Sequence, residues 1–442
     1  WILGYTKRIS KLGISRGDTM RKIIVVGPAL SQTGYGEQCR FALRSLMSEP
    51  DRFDVYLKPT NWGNSSWLLP SDPDRNWIDN LIRKTGVHIQ SNGSFDMSLQ
   101  VTIPNEWEKI TPINVGYTAG IESTKISGLW IEKSRIMDKI ITISNHSRDT
   151  FVETVYEATP ENGTESFLYK CETPVDVVHY PVRKYSAASL DISLDYDFNF
   201  LTVSQWGPRK NLENTIRWWV EEFKDDEVGL IVKTNLFKNS LIDRDITIAK
   251  LRTLLREYQD RKCKVYLLHG YMTNEEMTGL YTNPKVKCMV SLTHGEGFGL
   301  PLFEAAYNNI PIIAPDWSGH KDFLHAPKKV KKKNKKATTK IVPFFATVDY
   351  ELKPIMPESV WENVLDADAK WCYAKEASYK NRLRAVYKDV NRFKGMAKTL
   401  KSHLEKNFTA EAKYSEFCEA VYEKEEFDVE DWLSNLDVET HD

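Results

Sequence analysis

Nowhere does the chain hold a run of about 18 apolar residues, so no membrane-spanning helix is expected. None of the six cysteines, Cys39, Cys171, Cys263, Cys288, Cys372 and Cys418, forms a CxxC pair. That removes the usual basis for a zinc site or a redox dithiol. Thiols scattered this thinly through 442 residues suggest a reducing, cytoplasmic compartment, most of them serving as small buried apolar residues. Net charge is only −1, so bulk electrostatics points to no class of partner and any charge argument must be local. Residues 1–19 lack the apolar core and small-residue cleavage site of a secretory signal. Met20 reads as a natural start, with 1–19 as an N-terminal extension. There is no Gly-Lys-Ser/Thr phosphate loop, and none of the Asp-x-Asp pairs reads clearly as metal-binding.

What is present is an ordinary globular composition, 41% apolar and 27% charged, in a chain long enough for two or more cores. Short β-branched runs at 22–26, 53–57, 96–101, 113–117, 139–143 and 175–179 alternate with helical patterns such as 36–47 and 77–84. That rhythm predicts βαβ units around a parallel sheet. A polar stretch at 183–197 interrupts it. The rhythm then restarts with strands at 198–203, 229–233, 264–269, 287–291 and 310–314 and helices at 212–224 and 246–260. We expect an N-terminal Rossmann-like domain over 20–188 and a C-terminal one over 189–408. The remainder, 409–442, is expected to supply a helix packing back on the first domain and an acidic tail containing Trp432. One long helix is expected over 377–406. Eight lysines fall between Lys328 and Lys340, and like charges at that density predict an exposed loop.

The most informative segment is SLTHGEGFGLPLFE, residues 291–304. It follows an apolar strand and opens a helix. Gly295, Gly297 and Gly299 allow a ligand to approach the backbone. The helix start near Leu300 offers free N–H groups suited to a diphosphate. Glu296 and Glu304, before and inside that helix, are placed to face one ligand.

This string resembles the E-x7-E motif of retaining glycosyltransferase family 4, whose members have the GT-B fold. The resemblance runs from about Arg21 to Phe323. SQWGPRKN (204–211) resembles the loop after the first strand of that family's C-domain. HGY (269–271) with Glu275-Glu276 resembles its base-binding turn, and NIPIIAP (309–315) its following strand. GYTAGIEST (116–124) and ISNHS (143–147) resemble N-domain segments of some members. The resemblance implies two Rossmann-like domains with a donor cleft between them. It implies a nucleoside-diphosphate sugar as co-substrate and no separate cofactor. Glu296 would bind donor-sugar hydroxyls, Glu304 the ribose, and Lys210 the diphosphate. Backbone N–H groups of Phe298, Gly299 and Leu300 would touch the phosphates or sugar, beside Gly297. His269, Gly270 and Tyr271 would hold the base, and the loop 31–36, with Gly34, Tyr35 and Gly36, would close over the diphosphate. With these groups supplying positive charge, no metal is expected.

Two departures stand out. The family's usual arginine five residues before the lysine is Gln205 here, so Arg209 or Lys233 is the candidate for a second positive charge. No histidine lies in 117–124, and Glu122 is the nearest ionisable candidate to orient the acceptor or act as base, with helix capping as its alternative role. A catalytically impaired sugar-nucleotide-binding protein is the rival reading. The hydroxyl acceptor is open. A polysaccharide or lipid would fit, and the lysine stretch raises a polyanion such as DNA carrying a hydroxylated base.

Overall fold

Strands form where Ile, Val and Leu run together, and the central ones are covered on both faces, as parallel sheets require. The computed structural model describes residues 20–159, 166–330 and 338–423. The expected extension 1–19, the tail from 424 with Trp432, and the lysines between 331 and 336 lie outside the described residues.

The first half contains β1 (Arg21–Gly27), α1 (Gly34–Met47), β2 (Phe53–Pro59), α2 (Pro73–Gln90), β3 (Met97–Val101) and β4 (Ile113–Thr118). It continues with α3 (Gly128–Ser134), β5 (Lys139–Thr142), α4 (Asn145–Glu153), β6 (Val155–Ala158), β7 (Phe167–Lys170) and β8 (Val175–Val177). The sheet order is β2-β1-β3-β4-β5-β8, with every neighbour parallel. All five residues of β3 are buried.

The second half contains β9 (Asn199–Val203), α5 (Leu212–Phe223), β10 (Gly229–Lys233), α6 (Leu241–Leu255), β11 (Lys264–Leu268), α7 (Asn274–Thr282) and β12 (Val286–Val290). Then come α8 (Leu300–Tyr307), β13 (Ile312–Pro315), α9 (Lys321–Leu324), β14 (His325–Val330), β15 (Thr338–Pro343), β16 (Ala346–Val348), β17 (Tyr350–Pro354) and β18 (Lys370–Ala374). The last helices are α10 (Glu376–Lys388), α11 (Val390–Asn407) and α12 (Ala410–Val421). The second sheet, also parallel throughout, runs β11-β10-β9-β12-β13-β16, the Rossmann order. The two-domain α/β class expected from the sequence is therefore what the chain adopts.

Several local expectations need correction. The single helix over 377–406 is two helices, α10 and α11, broken at Asp389 (φ −139°, ψ 65°). The Asp389 carboxylate accepts from the Arg392 N–H at 3.1 Å, so the aspartate caps a new helix where the pattern looked continuous. Helix α2 is longer than 77–84 because Asp72 caps it and Pro73 fits its first turn. Helix α6 starts earlier than 246, at the Ser240 cap. The lysine stretch is not loop throughout. Its described ends pair as an antiparallel ribbon, β14 with β15, with Lys328 opposite Lys340. Lys328, Lys329 and Lys340 are exposed, so the backbone pairs while the charges stay in water.

The chain crosses between the halves twice, and the crossings meet where the Val182 N–H donates to the Phe408 carbonyl at 2.7 Å. After the second crossing α12 lies on α1. Phe417 packs edge-on to Phe41 with ring centroids 5.2 Å apart, and Cys418 Sγ donates to the Ser45 carbonyl at 3.1 Å. Arg52 of the first domain donates to Glu419, near the end of this helix, at 2.8 Å. Phe417 is fully buried against Phe41 and Tyr117. Phe417→Ala is expected to lower the unfolding free energy by about 3–5 kcal/mol, the usual cost of emptying a buried aromatic site. Urea denaturation followed by circular dichroism checks this, and an unchanged midpoint would detach α12 from the first domain.

Candidate active site

In parallel α/β sheets, ligands gather at the carboxyl ends of the strands, where the strand order reverses. In the second sheet that point lies between β9 and β12. The loop after β9 carries Arg209 and Lys210, and the loop after β12 carries 294–299. In the first sheet the reversal lies between β1 and β3, and the loop after β1 leads to Gly34 and Tyr35. These ends face each other across a cavity of about 960 Å³ lined by both halves.

The glycines permit a close approach. A Cβ on Gly297 would lie 2.7 Å from the Ala119 carbonyl oxygen of the opposite domain. Gly299 has φ +96°, which favours glycine, and it is the last residue before α8. Pro301 sits in the first turn of α8 and has no N–H to lose, while the preceding backbone lines the cleft.

At the centre Glu296 is buried. Lys210 Nζ donates to its two oxygens at 2.6 and 2.7 Å, and Arg209 Nη1 stands 3.5 Å away. Burial alone would raise the Glu296 carboxyl, but Lys210 and Arg209 overcome it and hold the pKa at about 2. The same burial pushes Lys210 below its ordinary value, with Arg209 acting in the same direction and Glu296 opposing both. Arg209 also donates to the Gly295 carbonyl at 2.6 Å and reaches across the cleft to Glu122, at 3.1 Å. Glu122 is therefore an ion-pair partner at the domain junction and not a helix cap; Ser127 caps α3. Gln205 lines the cavity but donates to the Leu236 carbonyl at 2.5 Å, so the cations beside Glu296 are Arg209 and Lys210.

Further along the cleft, Glu304 on α8 accepts from the Tyr281 hydroxyl at 2.9 Å. Burial raises its carboxyl to about 7. Lys233, at the end of β10, donates to the Gly270 carbonyl at 2.6 Å, and burial lowers its pKa to about 8. Gly270 and Tyr271 line the cleft, and the Tyr271 hydroxyl donates to Asp72 of the first domain at 2.6 Å. Phe298 and Leu300 also line it, although the Phe298 ring is core, packed on Tyr180 and Phe323. Tyr35 lies in the wall, stacked on Trp62 at 4.0 Å.

Two of the expected residues stand outside the cavity lining. His269 turns its imidazole to Asp243 Oδ1, at 2.8 Å. Gly36 lies behind the loop, where a Cβ would meet the Ser31 carbonyl oxygen at 1.9 Å, so its glycine serves packing. His146, from the 143–147 segment, is half-buried and edge-on to Trp317 outside the lining, and desolvation pushes its imidazole down to about 4.

Other residues had no signal in the sequence. Arg183, in the crossing segment, pairs with Glu37 and lines the cleft near Glu304. Asp322 accepts from the Asn145 N–H at 2.7 Å and lies 2.8 Å from His179 Nε2, tying α9 to the first domain. Asp243 accepts from the N–H groups of Leu236, Phe237 and Lys238, which fixes the loop after β10. Among the described residues no group of three or more His, Cys, Asp or Glu side chains is placed to hold a metal ion.

With this geometry the chain superposes on several solved structures. Sucrose-phosphate synthase from Thermosynechococcus elongatus matches with TM-score 0.58 over 90% of this chain and 98% of that one, at 12% identity. A UDP-forming alpha,alpha-trehalose-phosphate synthase from Burkholderia xenovorans gives 0.54 over 91% and 98%, at 8% identity. A glycosyltransferase from Rickettsia africae ESF-5 gives 0.52 over 92% and 100%, at 11% identity. The chain has the GT-B fold. At these identities the likeness is one of fold. No family model matches the chain, and no curated protein matches it in sequence.

Because the Glu296 pKa is depressed, the stability its ionisation contributes is present above the ordinary carboxylate range and is lost as pH falls through about 2. Lys210→Met leaves burial opposed chiefly by Arg209, so the carboxyl rises and the loss comes at higher pH. The acid arm of a circular-dichroism pH titration should therefore shift upward. An identical acid arm in the variant would mean that Lys210 does not hold Glu296 ionised.

Proposed function

We propose that this protein is a retaining, metal-independent glycosyltransferase that moves a sugar from a nucleoside diphosphate to a hydroxyl acceptor. One observation carries the reading. Two half-buried cations, a buried ionised carboxylate and a helix start that lines the cleft converge at the strand-order reversal of the second sheet, facing the first domain. Fold neighbours named as a glycosyltransferase and a UDP-forming synthase fit the same chemistry.

The residues divide the work along the cleft. The diphosphate lies against the backbone of Gly297–Leu300 and the start of α8. Lys210 turns to it from Glu296, and Arg209 adds a second charge in place of the arginine replaced by Gln205. Glu296, released from Lys210, accepts from the donor-sugar hydroxyls. Glu304 accepts from the ribose hydroxyls, Gly270 and Tyr271 border the base, and Gly34 and Tyr35 cover the phosphates. In the reaction the bond from the anomeric carbon to the phosphate oxygen breaks, and its electron pair stays on the diphosphate. The acceptor oxygen bonds the same carbon on the same face and gives up its proton, for which Glu122 is the nearest carboxylate. Fixed positive groups stabilise the leaving charge without reorganisation, which is why they suffice without a metal.

Sugar-nucleotide hydrolysis in the absence of acceptor, measured over UDP- and GDP-sugars, tests the reading. Lys210→Ala should lower turnover roughly 10²–10³-fold, the scale for removing one preorganised charge-stabilising group. Wild-type turnover should survive EDTA. Full loss in EDTA restored by magnesium or manganese would overturn the metal-independent mechanism, and wild-type turnover in Lys210→Ala would overturn the role of the lysine.

The raised Glu304 carboxyl gives a second test. Only the carboxylate accepts from both ribose hydroxyls, so nucleoside diphosphate binding should strengthen as pH rises through about 7. Glu304→Gln should bind more weakly and lose that step. Calorimetric titration of UDP and GDP across the range reads the outcome, and a step that persists in the variant belongs to another group.

A further inference from the structure

The second domain sends an excursion back over the cleft. Strands β17 and β18 pair antiparallel, and the segment 355–369 between them leaves its own domain to dock on the first. The Asn363 carbonyl accepts from Asn105 Nδ2 at 3.0 Å and from Ser127 Oγ at 2.8 Å. Asp366 accepts from the Tyr156 hydroxyl at 2.8 Å, and Asp368 from Lys125 at 2.5 Å. The Lys370 N–H donates to Thr124 Oγ1 at 3.0 Å. All of these partners belong to the first domain, and Thr124 and Lys125 directly follow Glu122 and Ser123.

The base of the excursion is tied to the reacting centre. The Cys372 N–H donates to the His294 carbonyl at 3.0 Å, and the Trp371 indole stacks on the His294 ring at 5.3 Å with 10° between planes. His294 directly precedes Gly295 and Glu296. The excursion therefore walls the cleft on the side of Glu122 and Arg209, away from Glu304.

This wall has a distinct chemistry. Trp361 lines the cavity yet is 59% exposed. It is held by a tight turn in which Trp361 and Leu365 exchange backbone hydrogen bonds at 3.1 and 2.7 Å around Asn363, with φ +62°. Ser359 and Trp371 line the same cavity, and Ser359 Oγ and Trp371 Nε1 are buried without a hydrogen-bond partner. Ile121 and Val364 add apolar surface. No Lys or Arg of the excursion lines the cavity, and Arg209, ion-paired with Glu122, is the cation already assigned to the donor diphosphate. Lys328, Lys329 and Lys340 do not line it either.

Resting on the glycosyltransferase reading above, we propose that Ser359, Trp361 and Trp371 form the acceptor subsite, and that the acceptor is an uncharged carbohydrate whose pyranose ring stacks on Trp361. A pyranose has one C–H-rich face and a rim of hydroxyls. The C–H face suits the electron-rich face of an indole, and the rim supplies partners to unpaired polar atoms. A nucleic acid acceptor brings a phosphate with each nucleotide and calls for cations along its path, which this wall lacks.

The test uses the full chain with UDP or GDP added. Saturation-transfer NMR is run on a mixture of methyl α- and β-glycosides of glucose, galactose, mannose and N-acetylglucosamine, with a hydroxymethylcytosine duplex as a separate probe. At least one glycoside should show saturation, strongest at ring protons. The signal should fall at least tenfold in Trp361→Ala and persist in Trp361→Phe. Nucleotide binding and thermal unfolding, read on the same samples, report the donor half and the fold. Nucleotide binding without any glycoside signal, or a signal indifferent to Trp361→Ala, overturns the acceptor assignment alone. Binding of the duplex that collapses with salt, with no glycoside signal, replaces it with a polyanionic acceptor. Failure to bind any nucleotide overturns the glycosyltransferase reading itself.

Discussion

A carboxylate buried at Glu296 stays ionised only if the protein surrounds it with opposite charge, because desolvation by itself drives it neutral. Lys210 and Arg209 supply that charge from the loop after β9, which places this loop beside the loop after β12. Arg209 in turn needs more than one acceptor, and it finds the Gly295 carbonyl in its own domain and Glu122 in the other. The pairing at the domain junction thus follows from the requirement to keep one buried carboxylate charged. Residues with a Cβ at 295 and 297 would hold the loop after β12 off the first domain, with contacts of 2.4 and 2.7 Å to the Glu122 and Ala119 carbonyl oxygens. The glycines are as much a condition of the charge cluster as of ligand approach.

The same arrangement explains why the site is preorganised although Lys210 and Glu296 neutralise each other. A buried ion pair gains little net stability, since desolvation offsets most of the attraction. Exchange of partners on ligand binding is therefore cheap in free energy. Each group passes from one charge-assisted contact to another, Lys210 to phosphate and Glu296 to hydroxyls. The lowered Lys210 pKa expresses the same balance, because burial and Arg209 together outweigh the attraction of Glu296.

The parallel sheets and the glycine-rich turn were legible because their signals are local. Hydrophobic runs of strand length, glycines and a helix start all lie within short windows, and residues 291–304 carry them together. Residue pairs distant in sequence were not legible. Nothing near His269 announces that its imidazole belongs to Asp243, or near Gly36 that its missing Cβ makes room for the Ser31 carbonyl. Asp389 looked like one more polar residue on a helix surface until its side chain proved to cap a second helix. The lysines misled for a related reason. Charge density reports that side chains seek water, and an exposed two-stranded ribbon satisfies this as well as a loop.

The excursion at 355–369 shows how much of the site depends on such distant contacts. Its hydrogen bonds join residues more than two hundred positions apart. Each is worth about 0.5–1.5 kcal/mol, and an exposed pair such as Lys125–Asp368 about 0–1 kcal/mol. Together with Arg209–Glu122 they sum to several kcal/mol, the size of a moderate ligand-binding free energy. Tyr271–Asp72 and Asn145–Asp322 add to them, so the excursion is one of several ties across the junction. The walls that meet a ligand at the Glu122 end, Ile121 on one side and Trp361 and Trp371 on the other, belong to different domains. Their spacing is therefore set by closure, which makes the geometry of that end a consequence of how the domains dock and not of either domain alone.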